Sequence, residues 1–156
     1  HRKTNNCWIS TIEKTLFTKF WVEFNEHFIH IFKELIEDQE FDVYLREDFS
    51  IVVEQNGYEI DISNLSGGEK SSLAVSYRLA LKKIIESNLG KETILDVLIL
   101  DEPTDGFSEQ QVSRLGYLLK ESGVSQILLV SHDEKIESIA SHHLHVEKKH
   151  HESKII

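Results

Sequence analysis

Residues 65–70 read Leu-Ser-Gly-Gly-Glu-Lys, and residues 98–104 read Leu-Ile-Leu-Asp-Glu-Pro-Thr. The first is a small-residue turn that opens a helical pattern over 67–86, with apolar positions at Leu73, Val75, Leu79, Ala80, Ile84 and Ile85. Such a turn lets backbone amides approach an anion closely. The helix behind it aims its unpaired N–H groups and positive dipole end at the same point, and Ser66 adds a hydroxyl. The second stretch ends an apolar strand, expected to be buried over 94–100, on two consecutive carboxylates. Side chains alternate along a strand, so Asp101 and Glu102 point in different directions. One carboxylate can hold a water of a Mg²⁺ shell while the next faces an attacking water, a division of labour suited to phosphoryl transfer. Asp101 is the metal candidate and Glu102 the general-base candidate. A second apolar strand, 126–130, ends in Ser131-His132-Asp133, and a histidine at a strand's carboxyl end can hydrogen-bond a terminal phosphate. No Gly-x-x-x-x-Gly-Lys-Ser/Thr phosphate loop occurs anywhere in the chain, so the element that would grip a nucleotide is missing from it.

Around these motifs the pattern is that of an α/β fold. Apolar residues at Ile9, Ile12, Leu16, Phe20, Phe24, Phe28, Ile31 and Leu35 recur about every 3.7 residues, the period of a straight helix over 8–36. Phe17, Trp21 and Phe32 add a second apolar flank, so this helix is expected to pack on two sides. Ser10 and Glu13 have capping-box spacing, although the helix can equally continue upstream. Residues 41–62 alternate as antiparallel strands, with Asn56-Gly57 as the hairpin turn, because both turn positions need positive φ. Gly90 is expected to end the helix that follows the 65–70 turn. A helix over 108–121 starts at a Ser108-x-x-Gln111 capping box. A short helix near 133–140 and a last strand near 143–147 follow, with a fraying polar tail from Lys148. Alternating strands and helices imply a parallel sheet with right-handed crossovers.

Composition narrows the class. The 156 residues suffice for one domain with a real core, and 40% hydrophobic with 28% charged is ordinary for a globular chain. The longest apolar run is far too short to span a bilayer. Seventeen basic against 27 acidic residues give a net charge of −10, which argues against a simple electrostatic clamp on DNA by this chain alone. The single cysteine, Cys7, reads as incidental, and no internal disulfide can form. His142, His143, His145, His150 and His151 cluster without a cysteine or carboxylate frame and read as surface residues, not as a metal site. Methionine is absent and the chain starts at His1, which reads as a piece of a longer protein.

The three motifs in this order resemble the signature, Walker B and H-loop of ATP-binding-cassette (ABC) ATPases, over about residues 60–147. Asp101 lies 36 positions after Leu65, further than is usual in transporter ATPases, and Glu69 stands where those more often carry Gln. Tyr77-Arg78-Leu79-Ala80 is similar to the Phe-Arg-Leu-Ala of the Rad-fifty (SbcC) family, the SMC-like ATPases of DNA double-strand-break repair, whereas true SMC proteins replace the Pro-Thr after Asp-Glu. The resemblance implies a carboxy-terminal lobe of an ABC-ATPase head, mainly a parallel sheet flanked by helices with an antiparallel hairpin (residues 41–156). Residues 1–40 would be the root of a coiled-coil arm. It implies ATP and Mg²⁺ as cofactors, with Leu65, Ser66, Gly67, Gly68, Glu69 and Lys70 contacting nucleotide in trans. Glu102 would activate water, His132 would touch the γ-phosphate, and Asp101 would hold Mg²⁺ through water. Arg78 matches an arginine that relays closure between lobes. Asp105-Gly106-Phe107-Ser108 occupies the D-loop, with Ser108 where an Asp is usual.

The implied partners are the amino-terminal Walker A lobe, a second head joined on ATP, double-stranded DNA, and an Mre-eleven (SbcD) type nuclease docking on Trp8, Phe17 and Trp21. Zinc is expected only at the coiled-coil apex, which this chain lacks. The implied setting is the cytoplasm or nucleoid of a prokaryote, or a nucleus, with no membrane. Two rivals remain at this point: an interaction and DNA-tethering module, and half of a transporter or SMC-type nucleotide-binding domain.

Overall fold

The computed structural model describes residues 2–36, 40–89, 97–149 and 152–156. Helix α1 runs Arg2–Leu35, about 50 Å at 1.5 Å per residue. It continues upstream of Ser10, so Ser10 is not its cap. From residue 11 on, where its side chains are described, cover comes late: Phe24, Phe28, Phe32 and Leu35 are buried, while Ile12, Leu16 and Phe17 are exposed. The two-sided packing expected along the whole helix therefore holds only where other elements reach it.

Strands β1 (Phe41–Leu45), β2 (Ile51–Gln55) and β3 (Tyr58–Ile60) form an antiparallel meander. Asn56 and Gly57, at φ 54 and φ 81, close β2 onto β3 with Gln55 opposite Tyr58, as their positive-φ preference demands. Alternation along β1 buries Phe41, Val43 and Leu45. Asn25 Oδ1 accepts the Leu45 N–H at 2.8 Å, and the Trp21 indole N–H donates to the Arg46 carbonyl at 2.8 Å. Trp21 is thus engaged by the fold itself.

Helix α2 (Gly67–Leu89) is the central element. Leu73, Ala80 and Ile84 pack with the α1 phenylalanines and the meander, while Val75 and Leu79 pack with Leu35, Leu100, Phe107, Val112, Leu115 and Leu119 in a second cluster. Residue 90, the expected end of this helix, lies outside the described residues. Lys82, 5% exposed, sits in the flank of α2 and donates to Glu86 and to the Ser122 carbonyl at 2.6 Å, tying α2 to the end of α3 (Glu109–Glu121). A buried ammonium is tolerated only with such partners.

Strands β4 (Val97–Asp101) and β5 (Gln126–Val130) pair in parallel, Val97 opposite Gln126 and Asp101 opposite Val130. They are the parallel part of the described fold; the other strands pair antiparallel. The strand expected to be buried over 94–100 is not: Leu100 is fully covered, but Val97 and Ile99 are 52% and 61% exposed. Leu128 and Val130 on β5 are exposed as well. Residues 94–96 lie outside the described residues. The segment 134–138 is a 3-10 turn, shorter than the expected helix. The chain end is not frayed: β6 (Val146–Lys149) and β7 (Glu152–Ile155) form an antiparallel hairpin, which places the last strand later than expected. Its order comes from cross-strand hydrogen bonds, which the polar sequence does not announce.

Candidate active site

The site is built at the carboxyl ends of β4 and β5, where parallel strands deliver side chains to a common edge. Glu102 leaves β4 on left-handed backbone at φ 47, and its N–H donates to the Val130 carbonyl at 2.8 Å, one residue beyond the ladder. A non-glycine residue held there costs about 1–3 kcal/mol, a strain typical of functional sites. His132, just past β5, places Nδ1 3.0 Å from Glu102 Oε2. The Ser131 hydroxyl reaches the same oxygen at 3.3 Å. The His132 contact draws the Glu102 carboxyl below its usual range, and the same contact raises the His132 imidazole. Both groups remain solvent-accessible, His132 at 78%. Asp101 is exposed at the end of β4.

The 65–70 turn is a capping box. The Ser66 N–H donates to Glu69 Oε2 at 2.6 Å and the Glu69 N–H to Ser66 Oγ at 3.3 Å. This gives Glu69 a local reason to replace Gln, since either can close the box. Gly67, the first residue of α2, is exposed, so the positive end of the helix faces outward there, whereas Gly68 is buried. Lys70 Nζ donates to the Ser63 carbonyl at 2.9 Å. Leu65, 5% exposed, belongs to the core and not to the open edge.

The glycines serve a further purpose. A Cβ on Gly68 would come within 2.6 Å of the Gly106 carbonyl, and a Cβ on Gly106 (φ +73) within 2.5 Å of the Gly68 nitrogen. The Ser71 hydroxyl donates to the Asp105 carbonyl at 2.8 Å. The start of α2 therefore lies backbone against backbone on the loop that follows Glu102. Lys135 Nζ joins the third motif to this loop through the Phe107 carbonyl at 3.2 Å. Phe107 is buried in the second cluster, and Ser108 caps α3 reciprocally with Gln111. Phe107 anchors the loop in the core, and Ser108, exposed, starts a helix.

Glu102, His132, Asp101, Asp105, Gly106 and the 66–68 turn are thus gathered along one edge. Arg78 stands on α2, exposed and with no ion pair among the described residues. Trp8, Phe17 and Trp21 lie on α1, away from this edge. The Trp8 side chain falls outside the described residues. Phe17 packs edge-on against Phe49 at 5.4 Å and, with Trp21, lines a groove of about 520 Å³ beside Glu13, Lys14 and Glu47. Sequence reasoning missed Ser71, Thr104 and Ser131, whose hydroxyls carry no composition signal; adjacency to His132 was the one available clue to Ser131. Mg²⁺ takes one or two carboxylates together with phosphate oxygens and waters. Asp101 fits as one such ligand, and no group of three metal-ligating side chains lies together among the described residues.

The fold is that of the head domain of SMC ATPases. A Pyrococcus furiosus Smc head with an extended coiled coil, bound to a domain of ScpA, superposes with TM-score 0.71 at 20% identity, covering 99% of this chain and 40% of that one. Another Smc head, bound to the winged-helix domain of ScpA, gives 0.70 at 21% identity over 95% of this chain and 46% of that one. In sequence the chain is similar to DNA double-strand break repair Rad50 ATPases. It is 32% identical to that of Thermoplasma acidophilum over 69% of its length and 35% identical to that of Thermococcus kodakarensis over 70%. The chain belongs with the Rad50 and SMC-like ATPases, as a carboxy-terminal lobe of the head. It spans about 12% of the length of these Rad50 relatives. No protein-family model matches it.

Proposed function

We propose that this chain is the carboxy-terminal half of a split ATPase head that acts in DNA double-strand-break repair. The observation that carries the reading is the convergence of three motifs distant in sequence: Glu102 and His132 meet at 3.0 Å, and the 66–68 turn rests on the loop between them. The missing phosphate loop and the bare face of β4 and β5 support a separate lobe that covers this face and brings the Walker A element. Parallel sheets are normally covered on both faces.

In this reading the Ser66-Gly67-Gly68 turn closes over the γ-phosphate held by a second head. The exposed Gly67 backbone and the positive end of α2 suit that anion. In the resting lobe Glu102 is paired with His132, and a carboxylate so held is a weak base. A terminal phosphate competes for His132, which leaves Glu102 free to take a proton from the attacking water. Asp101 would hold a water of the Mg²⁺ shell, and the ion would neutralise charge on the phosphates. Arg78 would relay closure to the other lobe. Head closure would in turn control a nuclease docked near Phe17 and Trp21, and DNA tethering by the paired heads.

The test uses the head assembled from both lobes. Glu102→Gln should retain ATP-driven dimerisation, read by light scattering, and lower turnover by about a hundredfold or more. Undiminished hydrolysis would refute the assignment of Glu102.

A further inference from the structure

Given Glu102 as general base, the reading on which this step rests, we propose that Ser131 is a positioning residue for it. The Ser131 hydroxyl fixes Glu102 Oε2, so that Oε1 is the oxygen presented to the attacking water.

Three contacts define the hydroxyl's role. The Asp133 N–H donates to Ser131 Oγ at 3.1 Å. Thr104 Oγ1 lies 3.5 Å from Ser131 Oγ, and Thr104 is fully buried. Glu102 Oε2 is 3.3 Å away. A serine hydroxyl has one proton and two lone pairs. The Asp133 amide occupies one lone pair, and Thr104 has no other side-chain acceptor among the described residues. With the Thr104 proton pointing at Ser131, the Ser131 proton is directed to the carboxylate and every hydroxyl in the chain of contacts is satisfied.

His132 donates to the same Oε2 at 3.0 Å. Both side-chain donors therefore hold one oxygen, and among the described residues no side chain donates to Oε1. The two donors differ in one respect. His132 is largely exposed and is the group a terminal phosphate would draw away, whereas Ser131 is half-buried and fastened from behind. Once the His132 imidazole turns to the phosphate, Ser131 is the side-chain donor that remains, beside the His132 backbone N–H. Without it, a side chain with three free torsions would sample orientations in which neither oxygen faces the water, and misplacement of about 1 Å is enough to cost a large factor in rate.

The experiment measures steady-state hydrolysis by the complete two-lobed head. Ser131→Ala should lower kcat about tenfold with KM for ATP and ATP-driven dimerisation unchanged, because only orientation at the reacting centre is lost. Ser131→Thr, which restores the hydroxyl, should recover most of the rate. Thr104→Val should lower kcat in the same direction by a smaller factor, about threefold, since it removes only the support behind Ser131. An unchanged kcat in Ser131→Ala, a loss that Ser131→Thr does not restore, or a rise in KM at constant kcat would each overturn the proposal. Glu102→Gln separates the two claims. If it abolishes turnover while Ser131→Ala is normal, the base stands and the positioning role falls. If Glu102→Gln stays active, the base assignment falls; a crystal structure of the Ser131→Ala head then decides the positioning claim, which a Glu102 carboxylate in unaltered orientation would overturn.

Discussion

The α1–meander half of this lobe and its β4–β5 half handle apolar surface in opposite ways. In the first, Phe24, Phe28 and Phe32 meet Phe41, Val43, Leu45 and Val53 from the sheet and Leu73, Ala80 and Ile84 from α2, and nearly all are covered. In the second, Leu98, Leu100, Ile127 and Leu129 pack on one side, while Val97, Ile99, Leu128 and Val130 stand exposed on the other. The first region alternates polar and apolar residues in β1 and finishes its own core. The second carries continuous apolar runs, Val-Leu-Ile-Leu and Ile-Leu-Leu-Val, which is how strands buried on both faces are written. Apolar surface is covered where the meander meets its helices and left exposed on one face of β4 and β5, beside the candidate site.

The contrast can be broken by substitution. Phe28→Ala removes a fully buried ring from the complete core and should cost about 3–5 kcal/mol in denaturant unfolding; a loss below about 1 kcal/mol would show that this core is not the anchor. Gly106→Ala places a Cβ 2.5 Å from the Gly68 nitrogen at φ +73. It should cost about 1–3 kcal/mol and depress turnover with it, since the loop after Glu102 must move. Normal turnover there would mean that the contact between the 66–68 turn and this loop is incidental. On the bare face, Ile99→Ser should change the stability of this chain by no more than about 0.5 kcal/mol yet weaken its assembly with the Walker A lobe, read by a binding titration. Equal assembly would leave that face without a purpose.

The smallest effect concerns charge. The His132 imidazole is raised by Glu102 and the Glu102 carboxyl is lowered by His132. For His132 the stabilisation is fully present below its ordinary value of 6.5 and is lost as pH rises through the raised folded value. For Glu102 it is present above the ordinary 4.5 and is lost as pH falls through the depressed value. The pair is therefore complete between those two ordinary values. In Glu102→Gln the His132 titration, followed by imidazole NMR, should move down toward 6.5; an unmoved titration would mean that the pair does not form in solution.

Much of this was legible in residue patterns. Asn56-Gly57 announced its hairpin, because few residues tolerate two consecutive positive-φ positions. Ser108 and Gln111 announced the start of α3, because reciprocal capping is local. The apolar period of α1 gave its helicity but not which stretch of it is covered, since exposure of Ile12, Leu16 and Phe17 depends on where other elements end. The β6–β7 hairpin was not legible, because Val146-Glu-Lys-Lys and Glu152-Ser-Lys-Ile carry too little alternation to announce paired strands.

By itself the sequence determined the kinds of groups available: a capped glycine turn, two adjacent carboxylates at a strand end, a histidine at the end of another, and no phosphate loop. Those follow from local chemistry and spacing. Only the tertiary structure decided that Gly68 and Gly106 touch, that Glu102 sits on left-handed backbone within reach of His132 and Ser131, and that one face of the β4–β5 sheet is bare. Each of these is a relation between segments at least about 30 positions apart in the chain or between a strand and what covers it, and such relations are settled by packing, not by local preference.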